Sequence, residues 1–186
     1  MKTLKLIAAG LLLVTGAAAQ DHRQSPVSAP TPPQVGMYVS DEGRYSVMFP
    51  SEPKLSTQTS QTPSGDSIIQ SLAAASAGGM VFMIGYFDYG SGITFSLDKG
   101  RDGMIENVKG TLIDEQSISL GGFPGRQIKV QARTDEGLEF IDRARLYDIK
   151  PRVYVVQCMV QKSQDGPVPA GRCERFFDSF RVRTGG

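Results

Sequence analysis

Four strand-like runs, at 111–119, 125–133, 138–147 and 152–160, follow one another with only a few residues between them. "DEG" at 135–137 and "DIKP" at 148–151 are tight-turn sequences. A parallel pair needs a crossover of a dozen or more residues, so these runs have to lie antiparallel to their neighbours. That requirement commits the second half of the chain to an antiparallel sheet. The first connection in this series, "SLGGFPGRQIKV" at 119–130, raises a question of its own, since it packs three glycines and an arginine into 121–126. A phosphate cradle needs successive backbone N–H groups aimed at one point, commonly at a helix start with a lysine close by. Here Pro124 removes a donor, no GK[ST] follows, and Gln127 to Val130 reads as a strand. The segment is therefore a bend, with Gly121, Gly122 and Gly125 relaxing the backbone and Pro124 fixing the corner.

Strands also fill the region before this series. Tyr45, Val47 and Phe49 alternate with Ser46 and Met48 until Pro50 ends the run, as in an edge or first strand. Two polar-alternating runs, 54–60 and 66–74, flank "TPSGD" and predict a hairpin. "GGMVFMIGYFDYG" is the most apolar run of the domain and is placed centrally in the sheet.

Two segments change period. Leu97, Met104, Ile105 and Val108 form one helical stripe, with Ser96 as N-cap, Asp98 in the first turn and Gly110 at the stop. Gly100 and Gly103 weaken this helix by about 1 kcal/mol each relative to Ala. Near the C-terminus, Cys173, Phe176, Phe177 and Phe180 fall at i, i+3, i+4 and i+7, with Pro169 near the helix start. Three phenylalanines on one stripe predict a helix pressed onto the sheet, each ring contributing about 1.5–3 kcal/mol by burial.

The chain opens MKTLKLIAAGLLLVTGAAAQ, with Lys2 and Lys5 before an apolar run from Leu6 to Val14 and small residues at Ala17, Ala18 and Ala19. This is the build of a secretory signal peptide, and cleavage is expected after Ala19. The apolar run is shorter than the roughly 20 residues that span a bilayer. Residues 20–36 carry four prolines and little that is apolar, which predicts a disordered linker. Residues 37–184 are expected to form a single domain that is periplasmic or secreted and not membrane-spanning.

Without Lys2 and Lys5 the chain has 18 Lys and Arg against 19 Asp and Glu. Nucleic acid is not expected as a partner, because phosphate binding needs a clear basic excess. Residues 20–121 are acidic in balance and 122–186 basic. With strands of both halves in one sheet, this asymmetry reads as internal complementarity. Cys158 lies in a strand-like run and Cys173 in a helix-like one. In an exported protein the pair favours a disulfide worth roughly 3 kcal/mol, with two buried thiols as the alternative.

Candidate chemistry is sparse. His22, in the linker, is the single histidine, so the folded part has no imidazole for a Ser-His-Asp or Cys-His system and lacks the usual zinc, copper and haem ligands. Residues 98–109 resemble a calcium loop at Asp98, Asp102 and Gly103, but position 12 is Lys109 where a bidentate Glu is needed. Asp135, Glu136, Glu139 and Asp142 lie on a hairpin, where charges are normally solvated. Arg143 and Arg145 alternate on one strand and can face an anion or a partner, or pair with neighbouring acids. No catalytic, cofactor-binding or metal site is assigned.

"GRYSVMFPSEP", a helix, "ISLGGFPGRQIKV", "RLYDIKPRVYVVQC" and "FFDSFRV" occur in that order from about Gly43 to Val182. The ordered set resembles an exported bacterial family with the PsbP/Mog-like fold. The resemblance implies an α+β fold, with a central antiparallel sheet flanked by helices on both faces in an α/β/α sandwich. It also implies an accessory or binding role. The function expected from all of this is a non-catalytic exported binding or accessory protein of the cell envelope, engaging a protein partner and using no cofactor. The alternatives are a small-ligand carrier with a pocket between sheet and helix, and a His-independent carboxylate hydrolase.

Overall fold

The computed structural model describes residues 2–3, 36–61, 67–90 and 93–183. The expected cleavage after Ala19, the linker with His22, and the turn at 62–66 lie outside the described residues. In chain order the elements are β1 (Lys2–Thr3), β2 (Gly36–Ser40), β3 (Tyr45–Phe49), β4 (Lys54–Gln61), β5 (Ser67–Ala77), β6 (Met80–Asp88) and β7 (Ile93–Thr94). Then come α1 (Leu97–Asn107), β8 (Thr111–Leu120), β9 (Phe123–Arg133), β10 (Glu139–Ile149), β11 (Arg152–Gln161), a 3-10 turn at Lys162–Gln164, α2 (Pro167–Ser179) and β12 (Arg181–Val182).

Seven strands form one sheet in the order β4-β5-β6-β11-β10-β9-β8, every neighbouring pair antiparallel. The short-turn series is the β8-β9-β10-β11 block. β6, the apolar run, is an interior strand paired with β5 and β11. A second sheet, β12-β3-β2, is also antiparallel, and β1 meets β7 in a two-residue parallel pairing. Successive side chains of a strand point to opposite faces, so the large sheet builds two cores. Tyr154, Val156, Cys158 and Val160 of β11 join one cluster, with β3 and α2. Val153 and Val155 join the other, with Met104 of α1 and Phe95.

The expected α/β/α sandwich is corrected by this arrangement. The described residues are mostly strand and hold two α-helices, 11 and 13 residues long. A helix of 11 residues is only about 16 Å long, so α1 covers β9 and β10 and leaves most of its face of the sheet without a helix. On the other face α2 shares the layer with the β12-β3-β2 sheet, whose Tyr45, Val47 and Phe49 enter the core. The architecture is two antiparallel sheets with two helices. The period-3.6 stripes at 97–108 and 173–180 do mark helices, but the rest of the α2 layer is the β12-β3-β2 sheet, in which the expected strand β3 pairs with two short strands, β2 and β12, that the sequence alone leaves unassigned.

Local chemistry accounts for the details. Ser96 Oγ accepts from Lys99 N at 3.5 Å and caps α1. The helix stops one residue earlier than Gly110 suggests: Lys109 takes the left-handed backbone (φ 48°), and Gly110 N donates to Ile105 O at 2.9 Å. The bend at 119–126 is tighter than expected. Gly121 and Gly122 both have positive φ (58° and 86°) and form the whole two-residue connection, as in a primed hairpin turn. Pro124 is not the corner; it lies inside β9 opposite Ser119, one residue before the first β9–β10 pair at Gly125.

α2 is fixed in several ways. Phe176 and Phe177 are 3 % exposed and Phe180 1 %. Phe176 packs on Phe49 and Phe82 at ring distances of 5.2 and 5.3 Å, and Phe180 on Tyr154 at 5.5 Å. Cys158 and Cys173 form a disulfide with Cα atoms 5.5 Å apart, which ties the helix to the middle strand of the large sheet.

Candidate functional site

A half-open groove of about 840 Å³ runs between α2, the β2–β3 hairpin and the turn joining β5 to β6. Its floor is apolar, formed by Met37, Met48, Pro50, Ala77, Phe82 and Phe176. Met37 and Met48 are cross-strand partners and stay 58 % and 42 % exposed, although the other face of β3 is core and Tyr38 on the other face of β2 packs against that core. The rim carries Arg172, Arg175 and Arg181 together with Asp178. The α2 stripe that buries Cys173, Phe176 and Phe177 leaves Arg172 and Arg175, three residues apart, on the solvent flank. Arg172 reaches across the mouth to Gly78, where a Cβ would meet Nη1 at 2.5 Å. Among the described residues neither Arg172 nor Arg175 enters an ion pair, while Arg181 Nη1 donates to the carbonyls of Asp178 and Phe180. A smaller groove of about 310 Å³ opens between β2 and β4–β5 beside Tyr38, Glu42 and Tyr86.

Arg143 and Arg145 both pair with carboxylates of this chain, and Arg143 Nη1 is buried without a hydrogen-bond partner among the described residues. Arg143 Nη2 donates to Asp165 Oδ1 at 2.7 Å, and Lys129 Nζ closes on the same carboxylate at 3.3 Å. Arg145 donates to Glu174 at 2.8 Å, to Asp178 at 2.9 Å and to Gln127 at 2.7 Å, and its guanidinium stacks 5.0 Å from the Phe177 ring. Both arginines fasten the segment after β11 and α2 to the large sheet. Arg145 also occupies Asp178, which leaves the groove rim positive.

The acidic residues of the β9–β10 hairpin separate into unlike environments. Asp135 and Glu136 are exposed on the turn. Glu139 accepts from Arg133 at 3.2 Å and Lys162 at 3.4 Å, and those hydrogen bonds hold its carboxyl below the usual range. Asp142 is 2 % exposed. Gln157 Nε2 donates to its Oδ2 at 3.0 Å, and its Oδ1 has no partner among the described residues. Burial pushes its carboxyl up to about 7, against the opposing pull of Gln157 and Arg143. It lines neither groove. The calcium-like stretch is a helix whose carboxylates are engaged: Arg126 donates to Asp98 at 2.8 Å, and Arg101 to Asp102 at 2.8 Å. Among the described residues no three His, Cys, Asp or Glu side chains converge as a metal site.

The groove was not legible in the sequence because three of its walls come from segments far apart in the chain. A signal was present: Met37 and Met48 are large apolar residues outside the predicted core positions, and Arg172 and Arg175 flank the phenylalanine stripe. The β2–β3 pairing brings the two methionines together, and the packing of α2 over β3 brings the arginines to them.

Internal complementarity is visible in the ion pairs. β8 and α1, from the acidic half, give Glu115 and Asp98 to Arg126 of β9 at 3.1 and 2.8 Å. Asp88 of β6 accepts from Arg152 of β11 at 2.6 Å, and that hydrogen bond holds its carboxyl below the usual range. Arg152 in turn lies 4.4 Å from the Tyr86 ring and donates to Glu42 O at 2.7 Å.

No protein-family model and no curated protein matches this sequence. Among solved structures, the chain is similar to the solution structure of cyanobacterial PsbP (CyanoP) from Synechocystis, with a TM-score of 0.53 and 13 % identity, over 85 % of this chain and 99 % of that one. It is also similar to a Pseudomonas aeruginosa protein of unknown function described as a putative regulator, with a TM-score of 0.43 and 14 % identity, over 77 % and 90 % of the two chains. A Bacteroides thetaiotaomicron structure gives a TM-score of 0.45 at 15 % identity, over 81 % of this chain and 49 % of that one. The likeness to CyanoP is one of fold.

Proposed function

We propose that this protein is a non-catalytic binding or accessory protein of the cell envelope that engages a protein partner through the groove between α2 and the β2–β3 hairpin. The observation that carries this reading is the groove's composition: an apolar floor with two exposed methionines under a rim of arginines, two of them without an ion pair among the described residues. Methionine is adaptable and recurs on surfaces that accept polypeptide. Export is supported by the leader-like opening sequence and by the bonded Cys158–Cys173 pair, since disulfides persist in oxidising compartments. The non-catalytic part of the reading is supported by the sparse inventory of reactive side chains and by the spread of the hairpin carboxylates over unlike environments.

The second reading, a small-ligand carrier, draws on the groove volume, which falls within the roughly 300–1,000 Å³ of ligand sites. The half-open shape favours a polypeptide. A photo-crosslinking residue at position 48, with position 112 on the β8 edge as control, tests the proposal in the native envelope. A stoichiometric protein adduct from position 48 alone is expected, with no turnover of ester, glycoside or phosphate substrates. Adducts from position 112 only, or turnover that disappears in Glu139→Gln, would refute it.

A further inference from the structure

We infer that the segment this groove receives is an acidic, apolar-faced stretch of the partner polypeptide, with aliphatic side chains on Met37 and Met48 and carboxylates on Arg172 and Arg175. This rests on the groove being the partner site and adds the chemistry of its occupant. The basic half of the chain spends many of its guanidiniums internally: Arg126, Arg143, Arg145 and Arg152 each close on a carboxylate within 3.3 Å. Arg172 and Arg175 break that habit, and they do so together beside an apolar floor. The carboxylate on the groove wall, Asp178, is already held by Arg145 at 2.9 Å.

The rim is therefore a positive field over an uncharged bed, and its complement is negative charge attached to apolar bulk. Spaced three residues apart on one helix, the two arginines lie within about 5–6 Å at Cβ, the separation of acidic residues one helical turn apart on an incoming segment. A trough open to solvent does not enclose the 70–90 % of surface that a small-ligand site typically buries. Its floor comes from β2, β3, β5, β6 and α2, a spread that suits several side chains of one polypeptide in place of a single acyl tail.

The test is fluorescence anisotropy with the exported full chain and three probes: a labelled Leu/Glu peptide with leucines at helical spacing, its Leu/Lys counterpart, and dodecanoate as competitor. The Leu/Glu peptide is expected to bind at least about tenfold more tightly than the Leu/Lys peptide, with affinity falling as salt rises. The double variant Arg172→Glu, Arg175→Glu should lose that preference and favour Leu/Lys. Met48→Asp should weaken both peptides. These positions are exposed, and unchanged thermal melting of each variant shows that folding is not the cause. Equal binding of the two peptides, or tight dodecanoate binding that depends on Arg172 without peptide binding, overturns the inference. If position 48 still crosslinks a protein in the envelope while the peptides are not discriminated, the acidic occupant is wrong and the partner site stands. Crosslinks from the β8 edge alone remove both.

Discussion

Asp142 sits where a carboxyl least belongs, on a core-facing position of β10 with one hydrogen bond from Gln157. Its folded value is about 7, while an unfolded aspartate titrates near 3.9. The folded state holds the proton more tightly, so this group favours folding below about pH 4, and that contribution is lost as pH rises through 7. Asp142→Asn removes the charge and keeps the shape. The expected outcome is a higher melting temperature at pH 8, a gain on the order of a few kcal/mol, with little change at pH 4, both read by calorimetry. Asp88 has the opposite sign: held low by Arg152, it stabilises at neutral pH and loses that contribution only as pH falls below the usual carboxylate range. At Gly100 two effects compete. Alanine improves helix propensity by about 1 kcal/mol, but its Cβ would stand 2.7 Å from Phe95 Cζ and 3.3 Å from Leu146 Cδ2. Gly100→Ala is expected to destabilise by about 1–3 kcal/mol in urea unfolding, because overpacking a closed core outweighs propensity. Gly100, which weakens α1 on paper, is what lets the helix lie close on Leu146 of β10.

Among the elements, α2 was the most legible. Its phenylalanine stripe follows helical spacing, and the rings are buried as that spacing requires. Phe176→Ala should cost about 3–5 kcal/mol, since the ring touches both Phe49 and Phe82. The disulfide adds to this hold. Cys158→Ser with Cys173→Ser is expected to lower stability by roughly 3 kcal/mol in equilibrium unfolding, and denatured, unreduced protein should show no titratable thiol. The loop at 119–126 was legible in kind but not in form. Its composition says turn, yet only the backbone shows that Gly121 and Gly122 make the whole connection and that Pro124 belongs to β9. β2 is not legible in the sequence because five residues with three exposed positions carry little period-2 signal, and its strand character comes from pairing with β3.

For the whole molecule, the strand order predicts unequal stability across the large sheet. β11 and β6 are flanked by strands on both sides and face both cores, whereas β8 is an edge strand with most of its residues exposed. Native-state hydrogen exchange should find the β6 and β11 amides slowest and the outer β8 amides fastest; uniform exchange would contradict this topology. What the sequence determined by itself was everything governed by local spacing: antiparallel neighbours wherever connections are too short to cross over, two helices wherever apolar residues recur every three to four positions, and a cysteine pair placed to bridge strand and helix. Tertiary structure alone decided what depends on distant segments meeting. It replaced the expected helical layers with a second sheet, because β3 pairs with β2 on one side and β12 on the other. It turned Arg143 and Arg145 inward to Asp165, Glu174 and Asp178. And it assembled the groove, whose methionines and arginines stand more than 120 residues apart in the chain and meet only because α2 packs back over β3.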